Sequence, residues 1–126
     1  MKRKGYRGTS CEKRKLSKCR DGVVKTYSAL ESRFADILQG APDIKEFRCN
    51  VLLEEFPLGE YCTDFVAVKT NGDLLVRECI YRKSIKKPKN IKLLDASRNY
   101  WMRRGVNDWG IVIDKKESAD EDKTAD

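Results

Sequence analysis

The sequence YCTDFVAVKTNGDLLVRECIYR, residues 61–82, decides the predicted fold of this chain. Two runs of alternating apolar and polar residues flank the dipeptide Asn71–Gly72, a strong signal for a tight hairpin turn. The pattern predicts antiparallel strands over residues 61–69 and 74–82. Each strand carries one acid near its middle, Asp64 on the first and Glu78 on the second. A hairpin therefore brings the two carboxylates together.

Both acids lie in apolar surroundings. Asp64 is followed by Phe65 and Ala67, and Glu78 shares its predicted strand face with Val76 and Ile80. A carboxylate is costly to bury unless something compensates, and a divalent cation bound by two carboxylates is a common compensation. The hairpin therefore predicts a site for a hard metal ion.

Two amphipathic helices are predicted on either side of the strands. The first covers residues 27–39, and Ser28 and Glu31 have the spacing of a capping box at its start. The second covers residues 90–104, with Asn90 as its cap and Gly105 at its end. The apolar positions lie at helical spacing, namely Leu30, Phe34, Ile37 and Leu38 in the first helix and Ile91, Leu94, Trp101 and Met102 in the second.

Two more strands are predicted, over residues 44–53 and 109–113. The element order is then helix, strand, strand, strand, helix, strand. A helix between the third and fourth strands implies a crossover, most often right-handed, that makes the last strand parallel to its neighbour. The prediction is an α/β (α+β) fold with a mixed sheet flanked by helices.

Length and charge indicate one domain and a polyanionic partner. The chain has 126 residues and a formal charge of +7, and nine Lys and Arg stand against two acids within residues 1–21. This composition predicts a flexible basic arm over residues 1–22, a domain over 23–114 and an acidic, disordered tail over 115–126. A basic arm favours nucleic acid as the partner.

The five cysteines are an odd number, and the chain has no histidine. The cysteines are interpreted as reduced, and a zinc site is disfavoured because no Cys-x-x-Cys pair accompanies them. No apolar run approaches the length of a membrane span or has the form of a signal peptide. We therefore expect a cytoplasmic protein with no membrane partner.

The helical acid, the strand Asp and the strand Glu stand at Glu31, Asp64 and Glu78. With this element order, residues 25–113 resemble the restriction-endonuclease-like PD-(D/E)XK core, and more narrowly the N-terminal catalytic domain of the TnsA endonuclease family. The resemblance implies a metal-dependent DNA endonuclease of a transposon, phage or other mobile element. It implies that Asp64, Glu78 and the carbonyl of Cys79 hold Mg²⁺, or Mn²⁺, and that Glu31 assists catalysis. It also implies transposase or other mobile-element proteins as partners.

The family motif has a lysine two residues after the strand acid, and this chain has Ile80 there. Two residues are equal candidates for the missing cation: Arg82, predicted on the same strand face, and Lys92, on the following helix. The connection between strand and helix is basic. It is predicted to bind the DNA backbone through Lys83, Lys86, Lys87 and Lys89.

Other interpretations stay open at this point. The fold can be a catalytically inactive nuclease that binds nucleic acid or a partner protein, since an isoleucine cannot orient water or stabilise a phosphate. The acids can also be structural, with Glu31 as half of a capping box, Asp64 bound to backbone amides and Glu78 paired with an arginine. Cleavage of both DNA strands needs two active sites, which makes a homodimer possible.

Overall fold

The structure is a computed structural model, and it describes residues 11–115. Two short strands precede the predicted elements, and the six predicted elements follow in the predicted order. The elements are β1 (Glu12–Arg14), β2 (Val24–Thr26), α1 (Ala29–Gly40), β3 (Ile44–Leu52), β4 (Cys62–Lys69), β5 (Leu74–Cys79), a 3₁₀ turn (Arg82–Ser84), α2 (Pro88–Arg103) and β6 (Asp108–Val112).

The main sheet has the strand order β3-β4-β5-β6. Its first three strands are antiparallel, and β6 pairs with β5 in parallel. One core lies between the sheet and α1 and includes Leu38 and Phe65, whereas a second lies between the sheet and α2 and includes Val76 and Leu93. The predicted mixed α+β architecture is confirmed. β6 is an edge strand, and its Ile111 is exposed.

The predicted hairpin turn is confirmed in detail. Gly72 has φ +94°, a left-handed conformation that favours glycine. The backbone N–H of Gly72 donates to the carbonyl of Lys69 over 2.9 Å, and the N–H of Asp73 donates to Oδ1 of Asn71 over 2.9 Å. The turn fixes the register of β4 and β5, and it thereby sets which residues of the two strands lie opposite each other.

The start of α1 agrees with the predicted capping box. Oγ of Ser28 accepts a hydrogen bond from the N–H of Glu31 over 3.1 Å. In return, Oε1 of Glu31 accepts one from the N–H of Tyr27 over 3.0 Å. The carboxylate of Glu31 therefore has a structural function, because it binds a backbone donor just before the first turn of the helix.

The start of α2 differs from the prediction. The helix begins at Pro88, whose fixed φ suits the first helical position. Asn90 is not the cap, since its side-chain amide donates to the carbonyl of Ser84 over 2.9 Å. The predicted end is confirmed, because Gly105 has φ +82° and its N–H donates to the carbonyl of Met102.

The buried side of α2 also differs in part. Leu94 and Trp101 are buried as predicted, but Ile91 and Met102 are about half exposed. Leu93 and Ser97 take their places on the buried side. The buried face of α2 is therefore offset from the predicted face. The observed face includes a serine whose hydroxyl points towards the sheet.

Residues 11–22, within the predicted arm, are packed on the domain. β1 pairs with β2, and Cys19 is buried. The guanidinium of Arg14 binds Oδ1 of Asp36 over 2.8 Å and the carbonyl of Ser32 over 3.0 Å. These contacts attach residues 11–22 to α1. A high density of positive charge in the sequence therefore does not by itself predict a flexible segment. Residues 1–10 of the predicted arm and 116–126 of the predicted tail lie outside the described residues.

Within the described part of the chain, no helix is long and apolar enough to cross a lipid bilayer.

Candidate functional site

Strands β4 and β5 separate where the two acids lie. Their pairing runs from Val68 and Leu74 to Phe65 and Arg77 and stops there. Each strand nevertheless remains paired on its other side, β4 with β3 as far as Cys62 and β5 with β6 as far as Cys79. Asp64 and Glu78 are the first residues beyond the last pair, so they face the gap between the separated strands.

The acids bind each other's strands across this gap. Oε1 of Glu78 accepts a hydrogen bond from the backbone N–H of Asp64 over 3.0 Å. Oδ2 of Asp64 accepts one from the backbone N–H of Cys79 over 2.8 Å. The side chains therefore satisfy backbone donors that the interrupted ladder leaves without strand partners. Asp64 is 3% exposed and Glu78 is 0% exposed.

The strand β4 changes its orientation at Asp64. Tyr61 belongs to the core on the α2 side, whereas Phe65 contacts Phe34 of α1 with 5.3 Å between ring centroids. Residues four apart on a regular strand point to the same side, so the alternation is broken between them. This strand irregularity directs Asp64 towards β5. The interpretation that Asp64 binds backbone amides at an irregular position agrees with this geometry.

Two hydroxyl groups converge on the other oxygen of Glu78. Oγ1 of Thr63 donates to Oε2 over 2.7 Å, and Oγ of Ser97 donates to the same atom over 2.6 Å. Behind each hydroxyl lies an indole. Nε1 of Trp101 donates to Thr63 and Nε1 of Trp109 donates to Ser97, both over 3.1 Å. Glu78 is therefore held by donors from β4 and α2, with a tryptophan from α2 or β6 behind each hydroxyl.

Burial and charge act together on the titration of this site. Burial raises the pKa of Glu78 to about 7, and the nearby charge of Asp64 adds to the effect. The hydrogen bonds from Ser97, Thr63 and the backbone of Asp64 oppose it, because they stabilise the ionised form. Burial also raises the pKa of Tyr61, with further contributions from the charges of Glu78 and Asp64.

No basic side chain among residues 11–115 contacts the carboxylate of Glu78, whose hydrogen-bond donors are all uncharged. Among the described residues, therefore, no arginine is paired with Glu78. Arg77, the nearest arginine in sequence, binds Oδ1 of Asp108 over 2.8 Å instead. Glu78 is a fully buried acid without a compensating cation in the described structure.

Glu31 is brought to the same end of the sheet as the two strand acids. The N–H of its neighbour Leu30 lies 3.4 Å from the hydroxyl of Tyr81, just beyond β5. Within residues 11–115, however, no group of three or more His, Cys, Asp or Glu side chains is arranged to hold a metal ion. Asp64 and Glu78 face the same gap, and Glu31 accepts the backbone N–H of Tyr27 at the start of α1.

The two residues predicted to replace the lysine lie elsewhere. Arg82 is exposed in the 3₁₀ turn rather than on β5, because the strand ends at Cys79. Its N–H donates to Oδ1 of Asp114 over 2.7 Å, and its Nε donates to the carbonyl of that residue. Lys92 is exposed and lines a shallow pocket with Leu58 and Pro88. Ile80 is buried.

The four lysines of the predicted basic connection are exposed. Lys83 lies in the 3₁₀ turn, Lys86 and Lys87 lie between the turn and the helix, and Lys89 lies in the first turn of α2. Further exposed basic residues are Lys92, Arg98 and Arg103 on α2 and Arg104 just after its end. A surface of this kind attracts a polyanion.

A donor set made only of oxygen atoms suits a hard cation such as Mg²⁺, which proteins bind through one or two carboxylates together with substrate phosphate. Asp64 and Glu78 provide the two carboxylates. The N–H of Cys79 points towards β4, and the carbonyl of a strand residue points to the same side as its N–H, so this carbonyl also faces the gap. In donor chemistry and charge, the residues fit a divalent metal ion.

Sequence reasoning missed the hydroxyls of Thr63 and Ser97, which donate to Glu78. A signal for Ser97 was present, because it stands at helical spacing between Leu94 and Trp101, on the apolar side of α2. Thr63 gave no such signal, since a threonine is ordinary in a strand.

No protein-family model and no curated protein matches this chain.

Proposed function

We propose that this protein is a metal-dependent DNA endonuclease with a restriction-endonuclease-like core, and that Asp64 and Glu78 are its metal ligands. One observation carries the proposal: the two carboxylates lie on neighbouring strands in a gap of the sheet, and the fully buried Glu78 contacts no basic side chain of the described residues. An ionised carboxylate without counter-charge is unfavourable in a protein interior. A cation bound in the gap removes this penalty.

Within the proposal, Asp64, Glu78 and the Cys79 carbonyl hold Mg²⁺ or Mn²⁺. When bound, such an ion activates water and offsets the negative charge on the leaving oxygen of a phosphodiester. The chain itself orients the ligands: the backbone N–H groups of Asp64 and Cys79 hold the two carboxylates across the gap. Glu31 contributes through its hold on the first turn of α1, beside the end of β5.

The exposed lysines Lys83, Lys86, Lys87 and Lys89 follow the end of β5 directly, and within the proposal they bind the phosphate backbone. Contacts between lysines and phosphates do not depend on the base sequence, so these residues position DNA without selecting a sequence. The resemblance to the TnsA family extends the proposal to mobile-element DNA and to a transposase or other mobile-element protein as partner.

A second candidate is a nuclease fold that binds nucleic acid without cutting it. The buried Ile80 favours it, because the position where the family has a lysine has no basic group. Arg82 is bound to Asp114, and Lys92 is exposed on α2. A transition state with developing charge on phosphate then lacks the cation that the family motif provides.

A cleavage assay separates the candidates. Supercoiled plasmid and branched DNA are incubated with Mg²⁺ or Mn²⁺ and the wild type, Asp64→Asn or Glu78→Gln, with the exposed loop acid Glu60→Gln as the matched control. Loss of cleavage in the two site variants alone supports the endonuclease. Cleavage that persists in both would overturn the active-site assignment. A wild type that binds DNA in a salt-sensitive manner but never cuts it supports the second candidate.

A further inference from the structure

We infer that Thr63 and Ser97 are positioning residues for Glu78: each hydroxyl, oriented by a tryptophan, fixes the carboxylate in the orientation in which it binds a cation. The inference rests on the proposed function, because it concerns the same metal site. It assigns a function to Thr63, Ser97, Trp101 and Trp109 that neither the resemblance nor the acid pair itself supplies.

The direction of each hydrogen bond follows from the chemistry of the donors. An indole N–H can only donate, so the oxygen of Thr63 must accept from Trp101. A hydroxyl has a single hydrogen, and that hydrogen is then available for Oε2 of Glu78. The same argument applies to Ser97, which accepts from Trp109 and donates to Glu78. Both hydroxyl hydrogens are therefore directed at one carboxylate oxygen.

The position of Ser97 makes this direction informative. A serine inside a helix commonly donates to the carbonyl one turn earlier, which is the nearest acceptor. Ser97 donates instead to Glu78, on β5, and it is completely buried. Thr63 is also completely buried. Bulk solvent therefore does not reach these two hydroxyls, and protein groups set their orientation.

Hydrogen-bond donors on both oxygens fix the plane of the carboxylate. Two bind Oε2, and the backbone N–H of Asp64 binds Oε1. A ligand whose conformation is set by surrounding hydrogen bonds needs no reordering when it binds a metal, and removing such partners commonly weakens metal affinity by about 10- to 100-fold. Both tryptophans of the chain lie behind the hydroxyls, so the whole indole content of the protein is in this network.

Indole N–H resonances test the hydrogen bonds without any metal. A ¹H–¹⁵N spectrum of the full chain contains two of them, one for each tryptophan. We expect Ser97→Ala to shift mainly the signal of Trp109, and Thr63→Val to shift mainly the signal of Trp101. The hydroxyl-preserving variants Ser97→Thr and Thr63→Ser serve as controls, with smaller shifts. Equal spectra for Ser97→Ala and wild type would overturn the inference that Ser97 links Trp109 to Glu78.

Calorimetric titration with Mn²⁺ alone tests the positioning. We expect about 10-fold weaker binding in Ser97→Ala and Thr63→Val, and near wild-type binding in Ser97→Thr and Thr63→Ser. Trp109→Phe, which keeps an aromatic ring without the N–H, provides a second test of the Ser97 arm if Ser97→Ala does not fold, and we expect it to weaken binding as well.

The outcomes separate this inference from the proposed function. If the wild type binds Mn²⁺ and every variant binds equally tightly, the positioning is wrong and the metal site stands. If the wild type itself binds no Mn²⁺, the proposed metal site fails and the positioning fails with it, whatever the indole spectra show. Weaker binding that the hydroxyl-preserving variants rescue supports both.

Discussion

Asp64 and Glu78 are linked across the gap between β4 and β5 by the backbone N–H of Asp64, which donates to Oε1 of Glu78 over 3.0 Å. The reciprocal bond runs from the N–H of Cys79 to Asp64. Each acid thus holds the opposite strand, and two carboxyl groups are brought together at little solvent exposure. Repulsion between the two carboxylates opposes this arrangement, and any bound cation relieves it.

The first prediction concerns metal and stability. Because an ion that binds only the folded protein stabilises it, we expect Mn²⁺ at ten times its dissociation constant to stabilise the wild type by about 1.4 kcal/mol. This corresponds to a rise of several degrees in Tm, measured by thermal unfolding. Asp64→Asn should remove the rise. An equal rise in Asp64→Asn and wild type would place the ion elsewhere on the protein.

The second prediction is a loss of stability as the pH rises. The pKa of Glu78 is raised from its ordinary value of 4.5 to about 7 in the folded protein. Between these values the folded state keeps a proton that the unfolded chain has lost, so protons favour folding there. We expect the free energy of unfolding to fall by up to about 3 kcal/mol between these pH values.

Urea unfolding across this pH window measures the slope, and Glu78→Gln is the control because its amide does not titrate. Asp108, whose pKa is lowered by its hydrogen bond from Lys69, contributes stability that is lost only at lower pH, as its carboxylate is protonated. Titration of Asp108 therefore does not change the slope of stability against pH in the range where Glu78 titrates. An unchanged slope in Glu78→Gln would contradict the assignment of the pH dependence to Glu78.

The third prediction concerns the basic connection. Removing one cation that neutralises a phosphate reduces the slope of log affinity against log salt by about 0.9 for duplex DNA. If Lys86, Lys87 and Lys89 each bind a phosphate, changing all three to glutamine should lower the slope by about 2 to 3 and weaken binding to every sequence alike. Fluorescence anisotropy at several salt concentrations measures both quantities.

The charge-matched control changes three exposed basic residues outside both predicted DNA-binding stretches, Lys25 on β2 and Lys45 and Arg48 on β3, to glutamine. We expect this control to alter the slope much less. If both triple variants show the same reduced slope, the protein attracts DNA by its net charge and the basic connection has no special part.

The fourth prediction separates the capping function of Glu31 in α1 from a function in DNA cleavage. Ser28→Ala removes the side-chain acceptor for the N–H of Glu31 and should destabilise the protein by about 1 kcal/mol, whereas Ser28→Asp should not. Glu31→Gln keeps an oxygen for the N–H of Tyr27 and should destabilise the protein less than Ser28→Ala does. Chemical denaturation measures all three. Loss of DNA cleavage in a stable Glu31→Gln would show that the charge of Glu31 has a further function.

Local signals in the sequence predicted the parts of the fold that local chemistry determines. The Asn71–Gly72 turn, the capping box at Ser28 and the end of α2 at Gly105 each depend on residues close in sequence, and the structure has all three. The start of α2 was mispredicted because Asn90 looks like a cap, whereas Pro88 two residues earlier already suits the first helical position.

The surroundings of the acids depend on contacts between distant elements, which a sequence pattern does not show. β5 ends at Cys79, and the following turn is held by Asp114, 32 residues after Arg82. The hydroxyl of Ser97 reaches Glu78 from 19 residues away. The alternation of apolar and polar residues predicted that the acids lie on strands. Only the interruption of the β4–β5 pairing shows that they face a gap.

The early residues that pack on the domain have a consequence for how the chain behaves in solution. Lys18 and Arg20 form backbone hydrogen bonds with Phe47 on β3, at the outer edge of the sheet. An uncovered edge strand offers free N–H and C=O groups to another molecule and promotes aggregation. A version shortened to begin at Thr26 should therefore self-associate, as light scattering would detect, although it retains every residue of the acid site.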